Sequence, residues 1–412
     1  MPAAQPVLHL EDATRIVAAR GFEADGGRGP RRMGIEMEWC TVRLDEPSLP
    51  ADFDAVQRGA AAATLPHASR VSFEPGGQVE LSSEALPGLL AIPSLRADAA
   101  ALGAALHREG VGMVAIGLEP GTRRARFLRS PRYDAMEAFF DAASDAGRTM
   151  MRSTAALQVN LDLGPTSEVE ARWSLVHAVG PVLAATFAHS PFAGGRPSGW
   201  RSTRLAVWKH VDPGRTAPVA NGVRGPEAWA AYALAADVML VRHRRDEHLP
   251  VPPGLSFAEW IARGHPAGWP DVDDLDYHLT TLFPPVRPRG WYELRMIDAL
   301  GARWWPVAAA VATVLLDDPD AAACARRATA PVRDRWDDAA RHGLAHPDLA
   351  AAAQHCFRAA RSALGRRGAD PATIDATGEF EDRFVRRGRT PADDLLDAWH
   401  RSGTLLPPAD NA

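Results

Sequence analysis

Apolar and polar residues alternate along four separate stretches of the chain, and a period of two marks strands with one buried face. In residues 33–41, Ile35, Met37 and Trp39 alternate with Glu36 and Glu38. Residues 72–83 read Ser-Phe-Glu-Pro-Gly-Gly-Gln-Val-Glu-Leu-Ser-Ser. Pro75, Gly76 and Gly77 predict a tight turn, because glycine tolerates positive φ; Glu74 stands before it. A strand follows in which Gln78, Glu80 and Ser82 oppose Val79 and Leu81. Residues 153–163 set Leu157, Val159 and Leu161 against Gln158, Asn160 and Asp162. Residues 291–297 set Tyr292, Leu294 and Met296 against Glu293 and Arg295.

Helical spacing fills much of the remainder. Leu95, Leu102 and Leu106 predict a helix over 94–109 stopped by Gly110, with a further strand at 111–118. Another helix is expected over 136–146. Ser167 with Glu170 reads as a capping box opening a helix towards His189, with Trp173, Val176 and Leu183 in the core. Residues 24–32 read as a flexible connector and 45–70 as mostly loop. The proline and glycine run at 190–199 suits a loop over a ligand or an ordinary connector. Residues 237–245 and the acidic run 271–276 frame helical or loop segments, the run itself being a solvated helix start. Beyond Gly301 the chain is helical and alanine-rich, and Thr390, Pro391 and Asp393 start a last helix through Trp399. With neither repeat nor linker, the expectation is one catalytic domain over 1–412, its core at about 30–320 and a helical C-terminal part at 302–405.

Composition narrows the function. The 412 residues are 46% hydrophobic and 24% charged, as in soluble globular proteins, and a net charge of -5 leaves no footprint for nucleic acid. Cys40, Cys324 and Cys356 form no CxxC pair, which fits a reducing cytoplasm, and Cys40 reads as structural. Residues 1–10 lack a basic segment leading into an apolar run, and the longest apolar helix candidate, 304–316, falls short of the ~20 residues that span a bilayer. Lys209 is the only lysine and no P-loop is present, so any phosphate must be held by arginine, metal or backbone. Arg123, Arg124, Arg126, Arg129 and Arg132 read as a solvated basic surface, and His177 and His189 as helix-surface or satisfied core residues.

Taken alone, Glu36 and Glu38 read more simply as a solvated strand face, and Glu293 with Arg295 equally as an ion pair. Together the four stretches carry more. If their strands share one antiparallel sheet, the oxygen-rich faces of Glu36, Glu38, Glu74, Glu80, Gln158, Asn160 and Glu293 converge. That many carboxylates would repel unless cations lay between them, and oxygen ligands suit Mg²⁺.

At these residues the chain resembles the glutamate-cysteine ligases of the plant and bacterial type. The resemblance is carried by Gly34-Ile35-Glu36-Met37-Glu38, the Glu74-Pro75-Gly76-Gly77-Gln78-Val79-Glu80 segment, Met151-Arg152-Ser153-Thr154, Gln158-Val159-Asn160-Leu161-Asp162 and Tyr292-Glu293-Leu294-Arg295. Further agreement comes from residues 188–192, 201–208 and 278–284, so that it spans roughly residues 30–320.

The resemblance implies an α+β fold, a glutamine-synthetase-like antiparallel β-sheet funnel surrounded by α-helices. It implies that ATP phosphorylates the γ-carboxylate of L-glutamate and that the amine of L-cysteine attacks the γ-glutamyl phosphate. Glu36, Glu38, Glu74, Glu80 and Glu293 would ligate two or three Mg²⁺ ions. Glu293 and Arg295 would be catalytic, with Arg295 and Gln158 towards the nucleotide. Arg152, Arg204 and Asn160 would hold substrate, the two arginines taking the glutamate carboxylates. Some members have His in place of Gln158. The arginine-rich, lysine-poor composition is similar to that of high-GC bacterial members serving ergothioneine biosynthesis. A cytoplasmic monomer or weak homodimer is expected. Two other readings stand beside this one: a carboxylate-amine ligase of the same fold with another amine acceptor, and a nucleotide-binding protein without turnover.

Overall fold

The computed structural model describes residues 8–23, 29–121, 124–219, 224–242 and 248–411. Most of the connector expected at 24–32, Arg123 of the basic cluster and residues 243–245 therefore lie outside the described residues.

The alternating stretches do form one sheet. Its eight strands are β1 (Arg32–Arg43), β2 (Arg70–Phe73), β3 (Val79–Ser82), β4 (Leu86–Pro87), β5 (Val111–Val114), β6 (Ala156–Asp162), β7 (Val286–Pro288) and β8 (Trp291–Asp298). The order is β7-β8-β6-β1-β3-β2, with β4 and β5 also paired to β1, and every pairing is antiparallel. The expected α+β architecture, an antiparallel sheet surrounded by helices, is thus the observed one.

One face of the sheet is dry. Ile35, Met37, Val79, Leu81, Leu157, Val159, Leu161 and Leu294 are fully buried. Beneath them runs the helix Trp305–Asp317, apolar on every side and buried along its whole length, with Pro306 in its first turn. A helix without a polar stripe is stable only when enclosed, and the helices Val169–Thr186, Pro319–Thr329 and Pro347–Leu364 enclose it.

Several boundaries differ from expectation. Residues 45–70 are not mostly loop: Asp52 accepts the Asp54 N–H and caps the helix Phe53–Ala62, which surrounding prolines and polar residues disguise in the sequence. Residues 136–146 resolve into two helices, Pro131–Asp141 and Ala146–Ser153. The capping box at Ser167 does not form. Glu168 is the N-cap of Val169–Thr186, and the Glu170 carboxylate instead accepts the Gly225 N–H. Trp173, Val176 and Leu183 are buried as expected, and the start expected at Thr390, Pro391 and Asp393 does open the helix Pro391–Ser402, where Thr390 and Asp393 form a capping box.

The chain's last described residues return to the sheet. Asp410 accepts the Trp39 indole N–H at 2.9 Å, and Asn411 bonds the backbone of Gly103, Val111 and Met113. Strand β1 is thereby anchored from outside the sheet as well as within it.

Candidate active site

The second face of the sheet is polar, and its register decides which side chains meet. Glu38 of β1 lies directly opposite Glu80 of β3, and Glu36 opposite Gln158 of β6. Like charges opposed across a strand pair are destabilising. Glu74 joins them because the turn after it is tightly built: its N–H reaches Gln78 O and its carbonyl accepts the Gly77 N–H, both at 2.9 Å. Gly77 has φ 83, and a Cβ on Gly76 would lie 1.9 Å from the Arg152 carbonyl oxygen, so both glycines are required. Carboxylate oxygens of Glu38, Glu74 and Glu80 lie within 4.8 Å of one another.

The surroundings are those of anions waiting for a cation. Burial, with Glu80 adding repulsion, pushes the Glu38 carboxyl up to about 7 against the opposing pull of Arg204 and Arg295. Burial also raises Glu74 well above the usual carboxylate range, helped by Glu38 and Glu80, and raises Glu36, helped by Glu293 and Glu80. Glu38, Glu36 and Glu80 are nevertheless held in place by hydrogen bonds. Glu38 accepts from Ala156 N–H (2.9 Å) and Gln158 Nε2 (3.1 Å), Glu36 from Asn160 Nδ2 (3.0 Å), and Glu80 from the Ser72 hydroxyl (2.6 Å). Clustered hard oxygen donors of this kind suit a divalent ion such as Mg²⁺.

The fifth expected ligand is placed differently. Glu293 lines the same cavity, of about 280 Å³, but Arg287 grips it with two hydrogen bonds at 2.5 and 3.0 Å and Arg295 stands at 3.3 Å. Burial opposes its ionisation, yet Arg287 and Arg295 outweigh that and hold its carboxyl down at about 2. Glu293 is an ion-paired carboxylate here, outside the cluster of three.

The other predicted residues fall into two groups. Arg204, Arg295 and Gln158 line the cavity. Gln158 bridges Glu38 to Arg295, accepting from Arg295 Nη1, so both ends of its amide are used. Asn160 is engaged likewise, between Glu36 and the Trp291 indole. Arg152 is not brought to the cavity wall: its guanidinium pairs with Glu137 at 2.5 Å, where Arg126 and Arg148 also converge.

Sequence reasoning missed Arg287, which pairs with Glu293 in register across the β7–β8 hairpin; its signal was the strand-turn-strand spacing around Gly290. It also set aside Arg132 and passed over Tyr133, both of which line the cavity. The solvated-surface reading of the basic cluster holds for Arg129, which is exposed, and fails for Arg124, which is buried, paired with Glu119 and bonded to the Thr41 carbonyl at 2.7 Å.

A second cavity of about 470 Å³ adjoins the first, sharing Arg204, Trp208, Phe283 and Arg295, and is walled on its far side by residues 334–338 and Ala340. Along the shared wall, Arg204 Nε and Nη1, Arg295 Nε and Trp208 Nε1 are buried without hydrogen-bond partners among the described residues. Buried donors without partners are costly, so such a row marks a place for an acceptor to bind.

Comparison with known proteins fits this geometry. Residues 32–407 match the profile of glutamate-cysteine ligase family 2 (GCS2). The chain belongs to that family. It is 41% identical over 396 residues to the glutamate-cysteine ligase EgtA of Mycolicibacterium smegmatis, covering 94% of this chain and 91% of that one. It is 31% identical over 355 residues to the chloroplastic glutamate-cysteine ligase of Arabidopsis thaliana, covering 80% and 66%. The crystal structure of a glutamate-cysteine ligase from Francisella tularensis in complex with AMP matches 92% of this chain and 86% of its own, with a TM-score of 0.54 at 12% identity. At that identity the likeness is one of fold. Among the described residues, no helix is long and apolar enough to cross a membrane.

Proposed function

We propose that the chain joins the γ-carboxylate of L-glutamate to the amine of L-cysteine at the expense of ATP, through a γ-glutamyl phosphate, giving γ-glutamylcysteine, ADP and phosphate. The observation that carries this reading is the juxtaposition, across one wall, of a three-carboxylate cluster and a row of unpartnered cationic and indole donors. Phosphoryl transfer needs the first and an amino-acid carboxylate needs the second.

Glu38, Glu74 and Glu80, with Glu36 beside them, would hold Mg²⁺, which when bound supplies charge stabilisation for the transferred phosphoryl group. Arg204 takes a glutamate carboxylate through its free Nε and Nη1, fixing the γ-carboxylate in line for attack on ATP. Arg295, braced by Gln158 and Glu293, faces the phosphates. Asn160 orients Glu36 instead of touching substrate, and Arg287 keeps Glu293 ionised. Residues 334–338 and Ala340 wall the donor-lined cavity, which supports treating core and C-terminal helices as one catalytic unit. By its resemblance to the bacterial enzymes of that pathway, the product would serve ergothioneine biosynthesis.

The test is ADP release with Mg²⁺, ATP and glutamate, with and without cysteine. Stimulation by cysteine and recovery of γ-glutamylcysteine are expected; equal ADP release without it would defeat the assignment. The donor-lined cavity would also admit an amine larger than cysteine, so a panel of amines belongs in the same assay, and faster turnover with another amine would move the assignment to that acceptor.

A further inference from the structure

Three residues beyond Arg295, at the end of β8, Asp298 is fully buried and lies outside both cavities. Its carboxylate accepts three hydrogen bonds, from the His189 N–H at 2.8 Å, the Ser190 hydroxyl at 2.7 Å and the Ser202 hydroxyl at 2.9 Å. Those hydroxyls pass the order on. Ser190 Oγ accepts the backbone N–H of Arg204, and Ser202 Oγ accepts that of Leu205, capping the helix Thr203–Lys209. The Arg204 guanidinium stands behind the same carboxylate, with Nη1 3.7 Å from Asp298 Oδ1, too long for a hydrogen bond but close enough to balance charge. Nη2 is tied to the Arg295 carbonyl at 2.8 Å.

Space around Asp298 is made to measure. A Cβ on Gly117 would lie 2.4 Å from its carboxyl carbon. Removing the charge of this carboxylate would take from the buried Arg204 guanidinium the acidic group paired with it.

We infer that Asp298 is a positioning residue for Arg204. It fixes both the first turn of the helix that carries Arg204 and the direction of its guanidinium, so that Nε and Nη1 stay free of hydrogen bonds and available to substrate. The inference rests on the reading of Arg204 as the glutamate-binding arginine.

The test compares Asp298→Asn, Ser190→Ala and Arg204→Lys for the KM of glutamate, the KM of ATP and kcat. Asp298→Asn should raise the KM of glutamate about tenfold and leave the KM of ATP within about twofold, since only one substrate's anchor is loosened. Ser190→Ala, which keeps the charge and cuts one link, should raise the KM of glutamate about threefold, and it decides the matter if the Asn variant does not fold. A merely structural role would lower Tm and the active fraction but leave both KM values unchanged, and that result overturns the inference. If Arg204→Lys itself leaves the KM of glutamate unchanged, the glutamate reading of Arg204 is what fails.

Discussion

In the proposed reaction Glu38 is the metal ligand most open to test, because it sits opposite Glu80, accepts from Gln158 and carries a carboxyl that burial raises to about 7. Glu38→Gln keeps the size and an acceptor for the Ala156 N–H while removing the charge. It should lower kcat by about 10²–10³ and weaken the Mg²⁺-induced rise in Tm, with the ion-free protein at least as stable as the parent. ADP release and a thermal melt with and without Mg²⁺ check the two halves separately. Arg287 makes the opposite case. It is buried against Glu293, so Arg287→Ala removes the nearer of two buried cations, leaves the carboxylate to Arg295 at 3.3 Å, and should cost about 3 kcal/mol in urea unfolding, more than loss of an exposed pair. That Arg287 went unread in the sequence has a physical cause: an ion pair across a hairpin exists only once the register is known. Arg152 shows the converse, since its place in a familiar motif does not reveal that the short helix Ala146–Ser153 turns its side chain towards Glu137.

At the scale of elements, the strands were legible because a period of two separates the faces without any tertiary knowledge, so Glu36, Glu38, Glu80, Gln158 and Asn160 could each be assigned to the polar face of its own strand, while their union on one surface waits for the sheet's register. Helix ends were less legible. The box at Thr390 formed and the one at Ser167 did not, because Glu170 is drawn away by the Gly225 backbone, a partner distant in sequence. The turn before β3 reads clearly as a turn, but its second role appears only in three dimensions: Gly76 is pressed against the Arg152 carbonyl. Gly76→Ala must therefore push the turn off that backbone and carry Glu74 with it. The expected outcome is a stability loss of about 1–3 kcal/mol together with a loss of turnover larger than the unfolded fraction explains. Calorimetry beside kcat on the folded fraction checks this.

For the whole molecule, stability should depend on pH through two opposing sets of groups. His177 and His278 are buried, bonded to the carbonyls of Trp173 and Ala233, and burial lowers them to about 4 and about 3. Their folded values lie below the ordinary 6.5, so the unfolded chain binds their protons first. The stability they contribute is present above 6.5 and is lost as pH falls towards 4. The acidic cluster has the other sign. Glu38 is raised from 4.5 to about 7, so without Mg²⁺ its contribution is full below 4.5 and is lost as pH rises through 7. Ion-free protein should become less stable above pH 7, and added Mg²⁺ should abolish that alkaline decline while leaving the acid limb unchanged. Thermal melts from pH 4 to 9 with and without Mg²⁺ test both limbs, and an acid limb that moved with Mg²⁺ would count against the histidine assignment.

The central place of β1 has one more consequence. It hydrogen-bonds to β6 on one side and β3 on the other, and its neighbouring side chains point alternately into hydrocarbon and into the acidic basin. Sliding β1 by a single residue against either partner would exchange Ile35 and Met37 for Glu36 and Glu38, a swap no core could tolerate. A half-correct arrangement of these strands is thus excluded, and damage to the pairing of β1 should reduce how many molecules work, not how fast each working one turns over.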